Sequence, residues 1–323
     1  MEEAILNFPR QFNFKPDILR SEKLPRDYSA VIVLGMGGSH LAGGVIKAID
    51  PGIPIFTYSD YGFPPWPQTL THNALFVACS YSGNTEEIMS ALGPVITGGH
   101  KVAVMTTGGY LAEEAENWQL PLVRMPDDGI QPRSALGYSV MGLLSIIGYD
   151  YLRSRLAALA DSLPVEECRR EGEALAGRLR GKVPIIYSSE QYRAVAYNWK
   201  IKFNETGKIP AFYNTIPELN HNEMTGFDRV DKNRDLSELF HFIQLFQPDD
   251  HPQNIKRMKV TDRLYQERGL ASEIITCSGS NDRAERIFRS LLMADWAAYT
   301  IAVENGSEPE QVPMVEEFKK LIS

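Results

Sequence analysis

The sequence is poor in cysteine, has no long apolar run and carries no excess of positive charge. Its three cysteines, Cys79, Cys168 and Cys277, stand far apart in 323 residues, and none belongs to a Cys-x-x-Cys pair. Neither a disulfide framework nor a zinc site is suggested, and buried core thiols in a reducing compartment are the simple reading. The longest apolar stretch, near 138–147, is too short to cross a bilayer and is interrupted by Ser and Gly. The acidic start, Met1-Glu-Glu-Ala, lacks a signal-peptide pattern. These absences predict a cytoplasmic protein with no membrane contact. A net charge of −8 argues against nucleic acid as a partner, because counterion release needs many Lys and Arg on one face. A small anion is another matter, since a few backbone N–H groups can hold one whatever the global charge.

The length suits two domains. Residues 1–29 have scattered apolar positions and prolines and read as an N-terminal extension with a helix. Short apolar runs follow at 30–34, 54–58, 74–79, 101–106 and 120–125, separated by helical patterns at 41–49, 86–96 and 110–117. Such alternation predicts βαβ units and a parallel sheet buried on both faces. Helices are expected at 136–159 and 165–179, with the domain boundary between 155 and 156. A second alternation then predicts strands at 183–187, 211–215, 239–245 and 273–277. Its helices fall at 191–203, 254–267 and 283–303, and a short one at 314–321 ends the chain. The predicted class is α/β: two doubly wound parallel sheets, each a three-layer α/β/α sandwich, over 30–155 and 156–323.

Two motifs sit between a predicted strand and a predicted helix. Gly35-Met36-Gly37-Gly38-Ser39-His40 lets backbone approach an anion closely and opens onto the unpaired N–H groups of a helix start. A dinucleotide site would want Gly-x-Gly-x-x-Gly, which His40 breaks; a plain tight turn is the other alternative. Ser80-Tyr81-Ser82-Gly83-Asn84-Thr85 supplies three hydroxyls before a second helix. Alone it could be an ordinary N-cap. Paired with the glycine loop, it reads as a neutral phosphate cradle at the carboxyl ends of parallel strands.

In this order and spacing, Gly-Met-Gly-Gly-Ser and Ser-Tyr-Ser-Gly-Asn-Thr resemble the sugar-isomerase (SIS) domain. Three later segments extend the likeness: Pro132-Arg133-Ser134-Ala135-Leu136-Gly137-Tyr138, Lys202-Phe203-Asn204-Glu205 and Pro217-Glu218-Leu219-Asn220-His221-Asn222. Each is similar to a segment of the bifunctional phosphoglucose/phosphomannose isomerases of archaea and bacteria. The resemblance implies two SIS domains, a homodimer, a phosphorylated hexose as substrate, and neither metal nor cofactor. It implies that Gly37, Gly38, Ser39, Ser80, Ser82 and Thr85 hold the phosphate. Glu205 would move a proton between C1 and C2, His221 would help open the sugar ring, and Arg133 would face the enediolate oxygens. The family's C-terminal catalytic Lys has no counterpart where it is expected, because Thr300 stands there as a possible substrate contact.

Aldose–ketose interconversion asks for these residue types. A carboxylate can carry a proton from one carbon to the next. An arginine can stabilise the oxyanion that exists only in the transition state, and an imidazole can shuttle a proton near neutral pH. Each residue also has a plain alternative. Glu205 could be an exposed acid near a helix end, His221 part of a polar surface loop, and Arg133 a salt-bridge partner. His221 and Glu223 lack a third ligand of suitable spacing for a metal. The expected activity is interconversion of glucose 6-phosphate with fructose 6-phosphate, with mannose 6-phosphate as a second aldose that the same base could serve. The alternatives are isomerisation of another phosphosugar and a non-catalytic sugar-phosphate sensor.

Overall fold

The computed structural model describes residues 1–228, 234–276 and 280–322. The chain forms two compact units, Leu6–Leu163 and Pro164–Ser323, the second joined by Met1–Ile5. Ten strands run in chain order: β1 Ile18–Leu19, β2 Ala30–Gly35, β3 Ile55–Tyr58, β4 Ala74–Cys79, β5 Lys101–Thr106, β6 Leu122–Arg124, β7 Val183–Ser189, β8 Phe212–Ile216, β9 Phe240–Phe246 and β10 Ala271–Thr276. The first unit has one sheet in the order β1-β6-β5-β4-β2-β3. Strands β2 to β6 are parallel, with Leu34 opposite Ala78 and Cys79 opposite Met105. The second unit repeats the core of this arrangement as an all-parallel sheet, β10-β9-β7-β8.

Both faces of the first sheet are covered, so its strands read as unbroken apolar runs. Ile32, Leu34, Phe76, Ala78 and Val104 pack with Ile88, Leu92 and Leu111 of the Glu86–Thr97 and Gly109–Asn117 helices. On the opposite face two helices come in on glycine. A Cβ at Gly43 of the Leu41–Ile49 helix would lie 3.2 Å from Val33, and one at Gly142 of the Leu136–Ile146 helix 2.6 Å from Met105. In the second unit Tyr187 and Phe242 pack with Met258 and Tyr265 of the Pro252–Glu267 helix. The long Arg283–Glu304 helix meets Val165–Arg178 so closely that a Cβ at Gly172 would stand 2.6 Å from Trp296 Cβ.

Two expectations need correction. The 136–159 helix is three helices, Leu136–Ile146, Asp150–Ala157 and Leu159–Ser162. The first break falls at Gly148, whose φ of 73° is left-handed and ends a helix. The first sheet is also not wholly parallel. Ile18 and Leu19, inside the expected extension, pair antiparallel with β6 and cover its edge. Cys79 and Cys168 are buried, and burial pushes the Cys79 thiol up to about 12. Cys277 lies outside the described residues. Among the described residues no helix is long and apolar enough to cross a membrane.

Lys202 Nζ and Asp295 Oδ1 meet at 2.6 Å in the second unit, with side chains only 3% and 10% exposed. The pair ties the Arg193–Glu205 helix to Arg283–Glu304. Removing one partner leaves the other charged and buried. Lys202→Ala should therefore lower unfolding stability by about 3–5 kcal/mol, read as a lower urea midpoint.

Candidate functional site

Strand order reverses at β2, whose neighbours are β3 on one side and β4 on the other. The loops after β2 and β4 therefore flank the switch point where open α/β sheets bind ligands. The glycine motif forms the turn Gly37–His40, entered through a left-handed Gly37 with φ 49°. The second loop turns at Gly83, φ 73°, where any Cβ would strike the Gly108 carbonyl oxygen at 1.8 Å. The two loops are tied together, since the Tyr81 N–H donates to Ser39 Oγ at 3.0 Å. Ser80 and Thr85 share a hydroxyl hydrogen bond of 2.7 Å, and the Gly83 N–H donates to Ser80 Oγ at 3.0 Å. The Thr85 side chain does not cap the Glu86–Thr97 helix, while the Ile88 N–H donates to the Thr85 carbonyl at 3.2 Å; helix starts of this kind suit anions.

Arg133 joins this cluster through backbone contact. Gly38 packs against the Pro132–Arg133 peptide, and a Cβ there would sit 2.8 Å from both Arg133 N and Pro132 C. Arg133 is 3% exposed. Glu86 and Glu87 occupy the first helical turn and add negative charge beside the loop. Ser39 and Thr85 are half-buried, Ser80 is buried and Ser82 exposed. His40 is half-buried as well, and burial holds its imidazole below the ordinary value of 6.5.

Glu205 and His221 both lie in the second unit but are not brought together there. Glu205 is half-buried at the last position of the Arg193–Glu205 helix. A carboxylate there opposes the helix dipole, a local misfit of the kind found at functional sites. Lys208 Nζ donates to the Glu205 carbonyl at 2.6 Å and compensates in part. The helix starts beyond the carboxyl end of β7 and returns antiparallel to the strands, so Glu205 sits near the amino end of β8. His221 is exposed and follows the opposite end of β8. Twelve helical steps of 1.5 Å put roughly 18 Å of helix between the two levels. Thr300 is half-buried in the Arg283–Glu304 helix. Among the described residues no cluster of three His, Cys, Asp or Glu could hold a metal.

The second sheet has its own switch point, at β7 between β8 and β9. Where the first carries Gly, Ser and Thr, this one is occupied by its own ions. Asp249 accepts from Arg283 at 2.5 Å, Arg286 at 2.8 Å and the Tyr192 hydroxyl at 2.9 Å. Burial alone would raise its carboxyl, yet these partners hold it below the ordinary range. Sequence reading missed this cluster because its members are 57 and 34 positions apart.

Residues 169–322 match the family model described as the bacterial phospho-glucose isomerase C-terminal SIS domain. A bifunctional phosphoglucose/phosphomannose isomerase from Thermoplasma acidophilum is 34% identical over 306 residues, covering 92% of this chain and 90% of that protein. The chain belongs to the bifunctional phosphoglucose/phosphomannose isomerase family. A D-glucosamine-6-phosphate 4-epimerase from Sulfolobus acidocaldarius is 31% identical over 227 residues, 68% of this chain and 69% of that one. In fold, this family member resembles the crystal structure of tagatose-6-phosphate ketose/aldose isomerase from Escherichia coli. Their TM-score is 0.66 at 18% identity, over 96% of this chain and 95% of that chain.

Two outcomes are expected. Gly38→Ala should push the glycine loop from the Pro132–Arg133 peptide and weaken inorganic phosphate binding at least tenfold by calorimetry, with the fold retained by circular dichroism. For His40, a lowered folded value means that folding favours the neutral ring. Its contribution is complete above the unfolded value of 6.5 and is lost as pH falls below it toward the folded value. The wild-type midpoint should thus drop relative to His40→Asn in urea titrations between neutral pH and pH 5.

Proposed function

We propose that this protein interconverts fructose 6-phosphate with glucose 6-phosphate and mannose 6-phosphate through a shared enediolate. The observation that carries this reading is the 34% identity with a bifunctional phosphoglucose/phosphomannose isomerase over nine-tenths of both chains. The cradle at the first switch point supports it with donors for a phosphate. In this reading the Gly37 and Gly38 backbone and the hydroxyls of Ser39, Ser80, Ser82 and Thr85 hold the phosphate. Glu205 takes the proton from C2 of the open-chain aldose and returns it to C1, while the C2 hydroxyl proton passes to the C1 oxygen, so that C1=O and C2–OH become C1–OH and C2=O. Arg133 stabilises the enediolate oxygens. His221 moves a proton between the C1 hydroxyl and the ring oxygen as the ring opens. Glucose and mannose 6-phosphates differ only at C2, which is planar in the enediolate, so one base serves both.

The separation of Glu205 from His221 along one sheet supports a two-chain centre. Two chains about a twofold axis can each lend the residue that the other's centre lacks. The proposal is therefore a homodimer, working in the cytoplasm where free phosphosugars are metabolised. A second reading, action on another phosphosugar, is favoured by Thr300 and by the likeness to a D-glucosamine-6-phosphate 4-epimerase.

The test is a coupled assay on fructose 6-phosphate that follows both aldoses, using wild type, Glu205→Gln and His221→Ala. Wild type should yield both products, and Glu205→Gln should lose turnover yet bind fructose 6-phosphate. Mixing the two variants and allowing subunit exchange should recover about a quarter of wild-type activity, because half of a mixed heterodimer's centres are intact. Unimpaired turnover by Glu205→Gln would remove that residue as base. A wild type that binds fructose 6-phosphate without turning it over would favour the second reading or a sensor.

A further inference from the structure

His221 projects from a segment that is anchored on both sides. Before it, Asn220 Nδ2 donates to Thr261 Oγ1 at 2.8 Å, and Arg257 donates to Asn220 Oδ1 at 3.4 Å. Both partners stand on the Pro252–Glu267 helix. After it, Asn222 accepts from the Glu223 N–H at 2.6 Å and donates to Glu218 at 2.7 Å. The Glu223 carboxylate then reaches the sheet. One oxygen accepts from the Tyr187 hydroxyl on β7, the other from Asn214 Nδ2 on β8. Those two donors are opposite each other in the parallel register, so Glu223 straddles adjacent strands. Among the described residues it makes no ion pair.

A loop that served only to connect elements would need no such arrangement. A half-buried carboxylate loses hydration, and two neutral donors return less than a cation would. What they add is direction: a carboxylate accepting at both oxygens is fixed in position and orientation. Tyr187 remains a donor, because burial, followed by the charges of Tyr265 and Glu223, raises its phenol well above the ordinary value. His221 lies two residues away and is itself exposed.

We propose that Glu223 is a positioning residue that latches the His221 segment to β7 and β8 and so holds the imidazole in one orientation. The inference rests on the reading of His221 as the ring-opening residue, but its structural half can be measured without turnover. The experiment uses the full-length protein with Glu223→Ala, Glu223→Gln, His221→Ala and the Ala/Ala double variant. Amide hydrogen exchange over 218–224 should accelerate in Glu223→Ala and return toward wild type in Glu223→Gln, which keeps an acceptor for Tyr187. In the fructose 6-phosphate assay Glu223→Ala should lower kcat about 10- to 100-fold with little change in KM, as a small misplacement of a reacting group does. Glu223→Gln should recover most of that loss. Adding Glu223→Ala to His221→Ala should cost no more than about threefold further, whereas independent sites would multiply their losses.

Unchanged exchange in Glu223→Ala overturns the latch, whatever the activity. Accelerated exchange with full activity, or multiplying losses in the double variant, overturns the positioning role. Full activity in His221→Ala overturns that role together with the reading of His221, and the exchange result still decides the latch separately.

Discussion

A parallel sheet covered on both faces leaves polar chemistry to the ends of its strands. That constraint organises the first unit. Along β2 and β4 every side chain is buried, and the glycine and hydroxyl loops follow where those strands stop. The glycine loop, the serine loop and Arg133 gather there, at the carboxyl ends of the buried strands. The close approach of Gly38 to the Pro132–Arg133 peptide depends on the same constraint. The loop has nowhere to retreat, since the strand feeding it is locked between neighbours on both sides.

The second unit follows this only in part, since His241 of β9 pairs with Glu273 of β10 at 2.9 Å and Tyr187 and Asn214 hold Glu223 from within their strands. Its switch point is filled by Asp249 and its arginine and tyrosine partners, so an internal carboxylate occupies the position equivalent to the glycine and hydroxyl loops of the first unit. One topology thus supports an open donor cradle in one half and a closed ion cluster in the other. The polar residues with a functional reading in the second unit lie elsewhere: Glu205 at a helix end, and His221 beyond β8. Their distance along the sheet follows from the βαβ crossover itself, which returns the chain to the amino end of the next strand before that strand begins.

Much of this was legible in the chain. The apolar runs at β2, β4 and β5 are long, rich in Val, Ile and Ala, and bounded by Gly or Ser, so periodicity alone located them. The two loops carried their own signal, because Gly-rich and hydroxyl-rich segments after such runs have few structural uses besides turning and binding anions. The 136–159 region reads as one helix because its apolar pattern continues through Gly148, and a single left-handed residue leaves little trace in periodicity. Ile18 and Leu19 escaped notice as a strand because two residues have no period. The anchors of Glu223 could not be read at all. Tyr187, Asn214 and Glu223 are drawn together only when β7 and β8 pair.

Local patterns in the sequence therefore determined the α/β class, the succession of strands and helices, and the residue types available for phosphate and proton chemistry. Each of those depends on neighbours within one turn or one strand. Tertiary structure alone decided that Arg133 sits against Gly38, that Lys202 is buried on Asp295 instead of standing beside Glu205 in solvent, that Asp249 closes the second switch point, and that Glu205 and His221 face opposite ends of one sheet. These outcomes depend on strand order and on close packing between residues far apart in the chain, and the energy of such contacts exists only once the sheet has formed.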